Sequence, residues 1–329
     1  MASAHGRPKI NDNNGCDEFA VTTLLYTHPV CLEHEMDAWH PECPARLEAI
    51  LKELGGEAYK DLERREAPEG SVKEIERVHQ AFYVEAIFEN VPKHGLVRLD
   101  PDTSMNPASG DAALRAVGGL CAAVDSVMSG EADNAFCAVR PPGHHAEISQ
   151  AMGFCLFNNV AIAAEHARQI HNLERVAVVD FDVHHGNGTQ NYFFRYRDLF
   201  YGSSHQWPCY PGTGMEHETG VFNNICNVQL RQGSGSEEFR RAYDDHILPS
   251  LRTFHPDLLL ISAGFDTHVR DPLAQLRVQT EDFGWVTQKL MEVADECCDG
   301  RVVSTLEGGY DLQALASSVG AHVRALMGH

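Results

Sequence analysis

The sequence predicts an α/β domain, a parallel sheet with helices covering both faces, and three observations lead there. Short apolar runs rich in Val, Ile and Leu alternate with longer amphipathic stretches from about residue 20 onward. Near-continuous apolar strands of this kind are the mark of a sheet buried on both sides. No internal repeat or low-complexity linker breaks the alternation, and 329 residues that are 43% hydrophobic can build one large core. The expected organisation is a loose polar arm over 1–18, rich in Asn, Asp and Gly, followed by a single domain over 19–329.

Strands are expected at 21–26, 135–139, 176–181, 199–202, 225–230, 258–262 and 302–306. The segments between them carry helical patterning at 44–54, 71–78, 107–129, 158–171, 236–253, 281–298 and 312–327. Ser71 with Glu74 reads as a capping box, which marks a helix start. In parallel sheets of this type the ligand crevice lies beyond the C-terminal strand ends. Functional chemistry should therefore cluster just after the strands.

Charge and cysteine usage narrow the function classes. There are 26 basic and 47 acidic residues, a formal net charge of −21. That balance argues against direct binding to nucleic acid or to an anionic membrane, and favours solubility and cationic partners. The ten cysteines are scattered without a C-x-x-C pair, so neither a zinc ribbon nor a disulfide scaffold is indicated. The first 16 residues lack the apolar core of a signal peptide, and no apolar run approaches the roughly 20 residues of a bilayer span. A cytoplasmic protein is expected.

The strand ends do carry the chemistry. After 135–139 comes Arg140-Pro141-Pro142-Gly143-His144-His145, and after 176–180 comes Phe181-Asp182-Val183-His184-His185-Gly186-Asn187-Gly188. After 258–262 comes Ala263-Gly264-Phe265-Asp266, and after 302–306 comes Glu307-Gly308-Gly309-Tyr310. The flanking Gly and Pro residues shape tight turns and let the backbone approach a ligand. Asp182 and His184 are two apart, so in extended chain both side chains point the same way. With a further Asp from another strand end they make a three-ligand site suited to Zn²⁺, with Fe²⁺ chemically acceptable, that keeps a position open. His144 and His145 are poor core material; near a metal they could act as general base and acid, or one could be a fourth ligand. Asp180 and Asn187 are candidates to hold their rings. Tyr310 could donate to a developing oxyanion. By contrast, Gly212-x-Gly214 and Gly186-x-Gly188 lack the context of a nucleotide loop, while Cys155 and His205 read as structural.

These residues resemble a known family. The segments 140–145, 153–155, 180–190, 263–266 and 307–310 look like the signature blocks of zinc-dependent histone deacetylases. Asn187, and the early His40-Pro41-Glu42 with Arg46, resemble the class II branch and its bacterial amidohydrolase relatives. The resemblance implies an arginase–deacetylase fold, with a central, mostly parallel eight-stranded sheet flanked by helices. It implies zinc on Asp182, His184 and Asp266, His145 as proton shuttle, His144 as electrostatic assistant, and Tyr310 as polariser of the acyl carbonyl. Gly153, Phe154, Tyr210, Leu273 and Gly309 would line a substrate tunnel, with Tyr210 standing where the family usually has Phe. A structural potassium would involve Asp180, Asp182, His184, Ser203 and Ser204, partly through backbone oxygens. Arg46 matches a residue of an internal acetate channel, and Asp100 or Asp102 a rim residue that anchors substrate backbone.

The implied activity is hydrolysis of an acylated amine, foremost N6-acyl-lysine in a protein or peptide. An acetylpolyamine amidohydrolase is the main alternative; Leu273 stands where polyamine-selective class II relatives carry Glu, a change that removes the partner of a second ammonium group. An arginase-like binuclear hydrolase would need a second ligand set. An inactive acyl-lysine binding module would be expected to have lost Tyr310 or a metal ligand, and this sequence keeps them. Oligomeric state is not readable.

Overall fold

The computed structural model describes residues 21–329; the arm expected over 1–18 lies outside them. Ten strands follow in chain order: β1 (Thr23–Thr27), β2 (Glu63–Glu66), β3 (Val97–Asp100), β4 (Thr103–Met105), β5 (Asn134–Cys137), β6 (Val176–Asp180), β7 (Leu199–Gln206), β8 (Ile225–Leu230), β9 (Leu258–Ala263) and β10 (Val302–Leu306). Eight of them form one sheet in the order β2-β1-β5-β10-β9-β6-β7-β8, and every pairing in it is parallel. β3 and β4 form a separate antiparallel hairpin.

The helices are α1 (Pro44–Leu54), α2 (Val72–Ile75), α3 (Ala81–Glu89), α4 (Ser109–Ser129), α5 (Asn159–His171), α6 (Asn187–Phe193), α7 (Ser236–Ala242), α8 (Leu248–Phe254), α9 (Thr280–Cys298) and α10 (Leu312–Leu326). The Ser71 capping box forms as expected, with reciprocal bonds to Glu74, but the helix it starts is a single turn. The expected helix over 236–253 is real and contains a π-helical stretch at Tyr243–Ile247 between α7 and α8. α4 is long and apolar enough to cross a membrane by composition, yet 67% of its apolar window is buried in the protein. It packs on β1, β5, β10 and α5 as a core helix.

All seven expected strands exist. The eighth, β2, reads Glu-Arg-Arg-Glu and is exposed throughout. It has no hydrophobic pattern because it is an edge strand held by its ladder with β1, and charge on an edge blocks pairing with other chains. The central strands β5, β6, β9 and β10 are wholly buried. Because they are adjacent and parallel, the C-terminal ends of β5, β10, β9 and β6 open side by side along one edge.

Candidate active site

The segment after β6 alternates as extended chain should. Phe181 and Val183 are buried in the core, with Phe181 edge-on to Phe265 and to His322. Asp182 and His184 therefore face the opposite side, beyond the sheet edge. Asp266 arrives from β9, two residues past Gly264. Donor atoms of Asp182, His184 and Asp266 all lie within 4.8 Å of one another, and all three residues are buried.

The hydrogen bonds around this triad leave a donor free. Asp182 Oδ2 accepts from the Gly308 N–H at 2.8 Å, and its Oδ1 from the His184 N–H at 2.9 Å. Asp266 Oδ1 accepts from the Val183 N–H at 2.8 Å. Asp266 Oδ2 is buried with no hydrogen-bond partner and sits 3.3 Å from His184 Nδ1. Burial, then the Asp182 charge, push the Asp266 carboxyl up to about 6. Two carboxylates and an imidazole forced together in a dry site, one oxygen orphaned, fit a divalent cation of zinc's donor preference. Gly308 belongs to this cradle, since a Cβ there would overlap Asp182 Oδ2 and Asp266 Oδ2.

The two histidines after β5 have different partners. His144 Nδ1 meets Asp180 Oδ2 at 2.9 Å, while His145 Nδ1 meets Asn187 Oδ1 at 2.8 Å. Burial would lower the His144 pKa, but Asp180, Asp182 and Glu307 outweigh it and push it to about 10. His145 lies well below the ordinary range, through burial and the adjacent His144 and His184 charges. The acids around His144 favour its charged form, while burial and its neighbours favour the neutral form of His145.

A cavity of about 260 Å³ leads to this constellation, lined among others by His145, His184, Phe154, Tyr210, Leu273 and Tyr310. Gly153 (φ 56°) and Phe154 (φ 70°) both take the left-handed region. A Cβ on Gly153 would overlap the His145 ring, so glycine is required where the wall meets the base. The turn is held by Gly153 N–H donating to Asp102 Oδ1 at 3.2 Å and Phe154 N–H donating to Thr103 Oγ1 at 3.0 Å. Of the two rim candidates, Asp102 lines the cavity, whereas the Asp100 carboxylate accepts from the Asp102 N–H at 3.4 Å.

One expected wall residue is corrected. Gly308, not Gly309, faces the cavity. Gly309 (φ 118°) turns its carbonyl onto Arg46 Nε at 2.6 Å, and a Cβ there would press on Leu315 and Phe265 of the core. Arg46 is fully buried, also bonds Glu42 and the Glu307 carbonyl, and lies 4.8 Å over the Tyr310 ring. Arg140 pairs with the same Glu42. Asp180 stands opposite Ser203 in the β6–β7 ladder, so the residues expected at the potassium share one region; the Ser203 and Ser204 hydroxyls bond His205 and Tyr243. His205 and Cys155 are buried and hydrogen-bonded within the fold, as structural residues are.

Two further residues, Glu307 and Asp271, were given no task by the sequence. Glu307 Oε2 accepts from the Gly143 and His144 N–H groups, and its Oε1 from Ser262, so it holds the histidine loop. Asp271 accepts from the Tyr310 and Leu273 N–H groups, joining two sides of the cavity wall. The available signal was the place of Glu307 at the end of β10 beside Gly308 and of Asp271 before Pro272.

The chain is similar to known proteins. The histone deacetylase domain model matches residues 40–326. Histone deacetylase-like amidohydrolase of Pseudomonas aeruginosa is 40% identical over 275 residues, covering 82% of this chain and 71% of that protein. Histone deacetylase 14, chloroplastic, of Arabidopsis thaliana is 37% identical over 335 residues, covering 94% and 78%. A crystal structure of the HDA15 HD domain superposes with a TM-score of 0.89 at 34% identity, covering 94% of this chain and 89% of that one. The parallel eight-stranded sheet is thus an arginase–deacetylase fold, its chemistry is deacetylase-type hydrolysis, and the chain belongs to the histone deacetylase family.

Proposed function

We propose that the protein hydrolyses N6-acyl-lysine amides in a protein or peptide, with Zn²⁺ held by Asp182, His184 and Asp266. The carrying observation is the convergence of these three donors, one oxygen orphaned, on the floor of a narrow cavity with an apolar and aromatic wall. A methylene chain with an amide at its tip suits that shape. Phe154, Tyr210 and Leu273 pack the methylenes, and the polar groups meet only the end of the chain.

The zinc would supply Lewis-acid polarisation of the amide carbonyl and a more acidic water. His145 Nε2 takes the proton of the attacking water, since Asn187 Oδ1 can only accept and so keeps the other ring proton on Nδ1. The cationic His144, anchored on Asp180, stabilises the negative charge that develops. The Tyr310 hydroxyl, its pKa raised by burial, stays protonated and donates to the tetrahedral oxyanion. His145 then returns its proton to the leaving amine. The buried Arg46 beneath Tyr310 offers the carboxylate product a cation on the way out. The expected potassium would add a fixed charge near Asp180 and Ser203.

The net charge of −21 and Asp102 at the cavity wall also favour a cationic chain, and so keep acetylpolyamine as a second substrate reading. Turnover of acyl-lysine peptides and acetylputrescine, each with zinc-loaded and chelated enzyme, tests both. Activity that survives full demetallation would end the metal-hydrolase reading, and preference for acetylputrescine would exchange the substrate class.

A further inference from the structure

We propose that Asp125, His166 and His171 form a second divalent-metal site, on the surface between α4 and α5 and apart from the catalytic cavity. Asp125 belongs to α4; His166 and His171 belong to the last turns of α5. The two imidazoles converge on one carboxylate oxygen, His166 Nε2 at 2.7 Å and His171 Nε2 at 2.6 Å from Asp125 Oδ1. Donor atoms of all three lie within 4.8 Å of one another. Two imidazole nitrogens and a carboxylate oxygen are a donor set for Zn²⁺ that leaves a fourth position to water.

The geometry is close to ligation but relaxed onto hydrogen bonds. Tetrahedral zinc holds its N and O donors about 3.3 Å apart, so Asp125 must retreat by several tenths of an ångström. Its side chain is 51% exposed and that of His171 is 23% exposed, which permits the shift and leaves a solvent path to the site. The anchored member is His166, 7% exposed.

The far side of His166 supplies what a ligating imidazole needs. Arg77 Nη1 donates to Nδ1 at 2.8 Å, so the ring proton sits on Nε2 and goes to Asp125. Ligation at Nε2 moves that proton to Nδ1 through solvent. Glu74 Oε1, 3.7 Å from Nδ1, becomes its acceptor, and Arg77, already 4.0 Å from Glu74, swings onto that carboxylate. The result is a carboxylate–imidazole–metal relay, the arrangement that fixes the tautomer of ligating histidines.

Equilibrium dialysis of the full chain against Zn²⁺ near pH 7.5 tests this. Wild type binds two equivalents and His171→Gln binds one, with the glutamine amide still able to bond Asp125. A D182N/D266N variant loses one equivalent and keeps the other, which remains sensitive to His171→Gln; this separates the site from a two-metal catalytic centre. Arg77→Ala frees Nδ1 and binds the second equivalent more tightly, by tenfold or so on the scale of such outer partners. Equal zinc uptake by wild type and His171→Gln, each folded by circular dichroism, overturns the proposal and leaves the cluster a hydrogen-bonded clamp between helices.

Discussion

His145 Nδ1 lies 2.8 Å from Asn187 Oδ1, and Asn187 Nδ2 donates to Glu147 Oε1 at 2.8 Å. The second bond orients the amide, so the oxygen must face the imidazole. The amide oxygen accepts the Nδ1 proton and leaves Nε2 free toward the cavity, while burial and the His144 and His184 charges favour the neutral ring. Its neighbour His144 faces a carboxylate and is held charged. The two adjacent histidines differ because acids face His144, whereas His145 has only an amide to set against burial and its cationic neighbours.

Asn187→Asp should therefore raise the His145 pKa. A carboxylate at that distance stabilises the imidazolium by about 1–3 pKa units. The neutral base is then lost at a higher pH, so the acid limb of the kcat/KM profile moves up by that amount. An unmoved limb in a folded, metal-loaded variant removes His145 from the role of base.

Tyr310→Phe deletes one oxyanion donor while the ring keeps its place over Arg46 and against Phe154. Turnover should drop by roughly 10²–10³-fold, with KM little changed. Steady-state kinetics on an acyl-lysine peptide decide it, and full activity would show that the hydroxyl is idle.

Gly308→Ala puts a methyl group into the space of the Asp182 and Asp266 carboxylates. Zinc affinity should weaken by about 10–100-fold, the scale seen when partners of metal ligands are disturbed, and activity should return in part at high zinc. Competition with a chromophoric chelator measures this. Unchanged affinity would mean that the two carboxylates have room to move.

Leu273→Glu places a carboxylate on the cavity wall. Activity on acetylputrescine relative to acetyl-lysine peptide should rise by about tenfold, the yield of one exposed charge-assisted contact of 1–2 kcal/mol. Paired kcat/KM values report the ratio, and no change would place Leu273 beyond reach of the second ammonium.

Stability should fall in mild acid. Burial lowers the pKa of His79 to about 4 and of His322 to about 3. His79 Nε2 accepts the Asn158 N–H at 2.8 Å, and His322 is held between Thr287 and Ser304. Below the unfolded value of 6.5 the unfolded chain binds protons that these rings refuse, so stability declines from pH 6.5 toward 4. Each ring contributes about 1.4 kcal/mol per pH unit in that window. Urea midpoints at pH 7, 6 and 5 give the slope, and a flat profile would mean that both rings find a way to protonate in the fold.

Periodicity in the chain was enough to locate seven sheet strands, the helices around them other than α3 and α6, and the clusters at four strand ends, because alternation and capping are short-range properties. It also put Asp182 and His184 on one side, a consequence of extended geometry alone. It could not see β2, whose Glu-Arg-Arg-Glu has no buried face, and it chose Gly309 over Gly308 because which carbonyl turns to Arg46 depends on a helix residue 263 positions earlier. Nor could it separate Asp102 from Asp100, a choice made by the amide of Gly153. Above all, strand order belongs to the tertiary structure. β5, β10, β9 and β6 become neighbours only through crossovers that pack helices on both faces, and that long-range packing brings Asp266, Tyr310 and the two histidines to the ligands following β6.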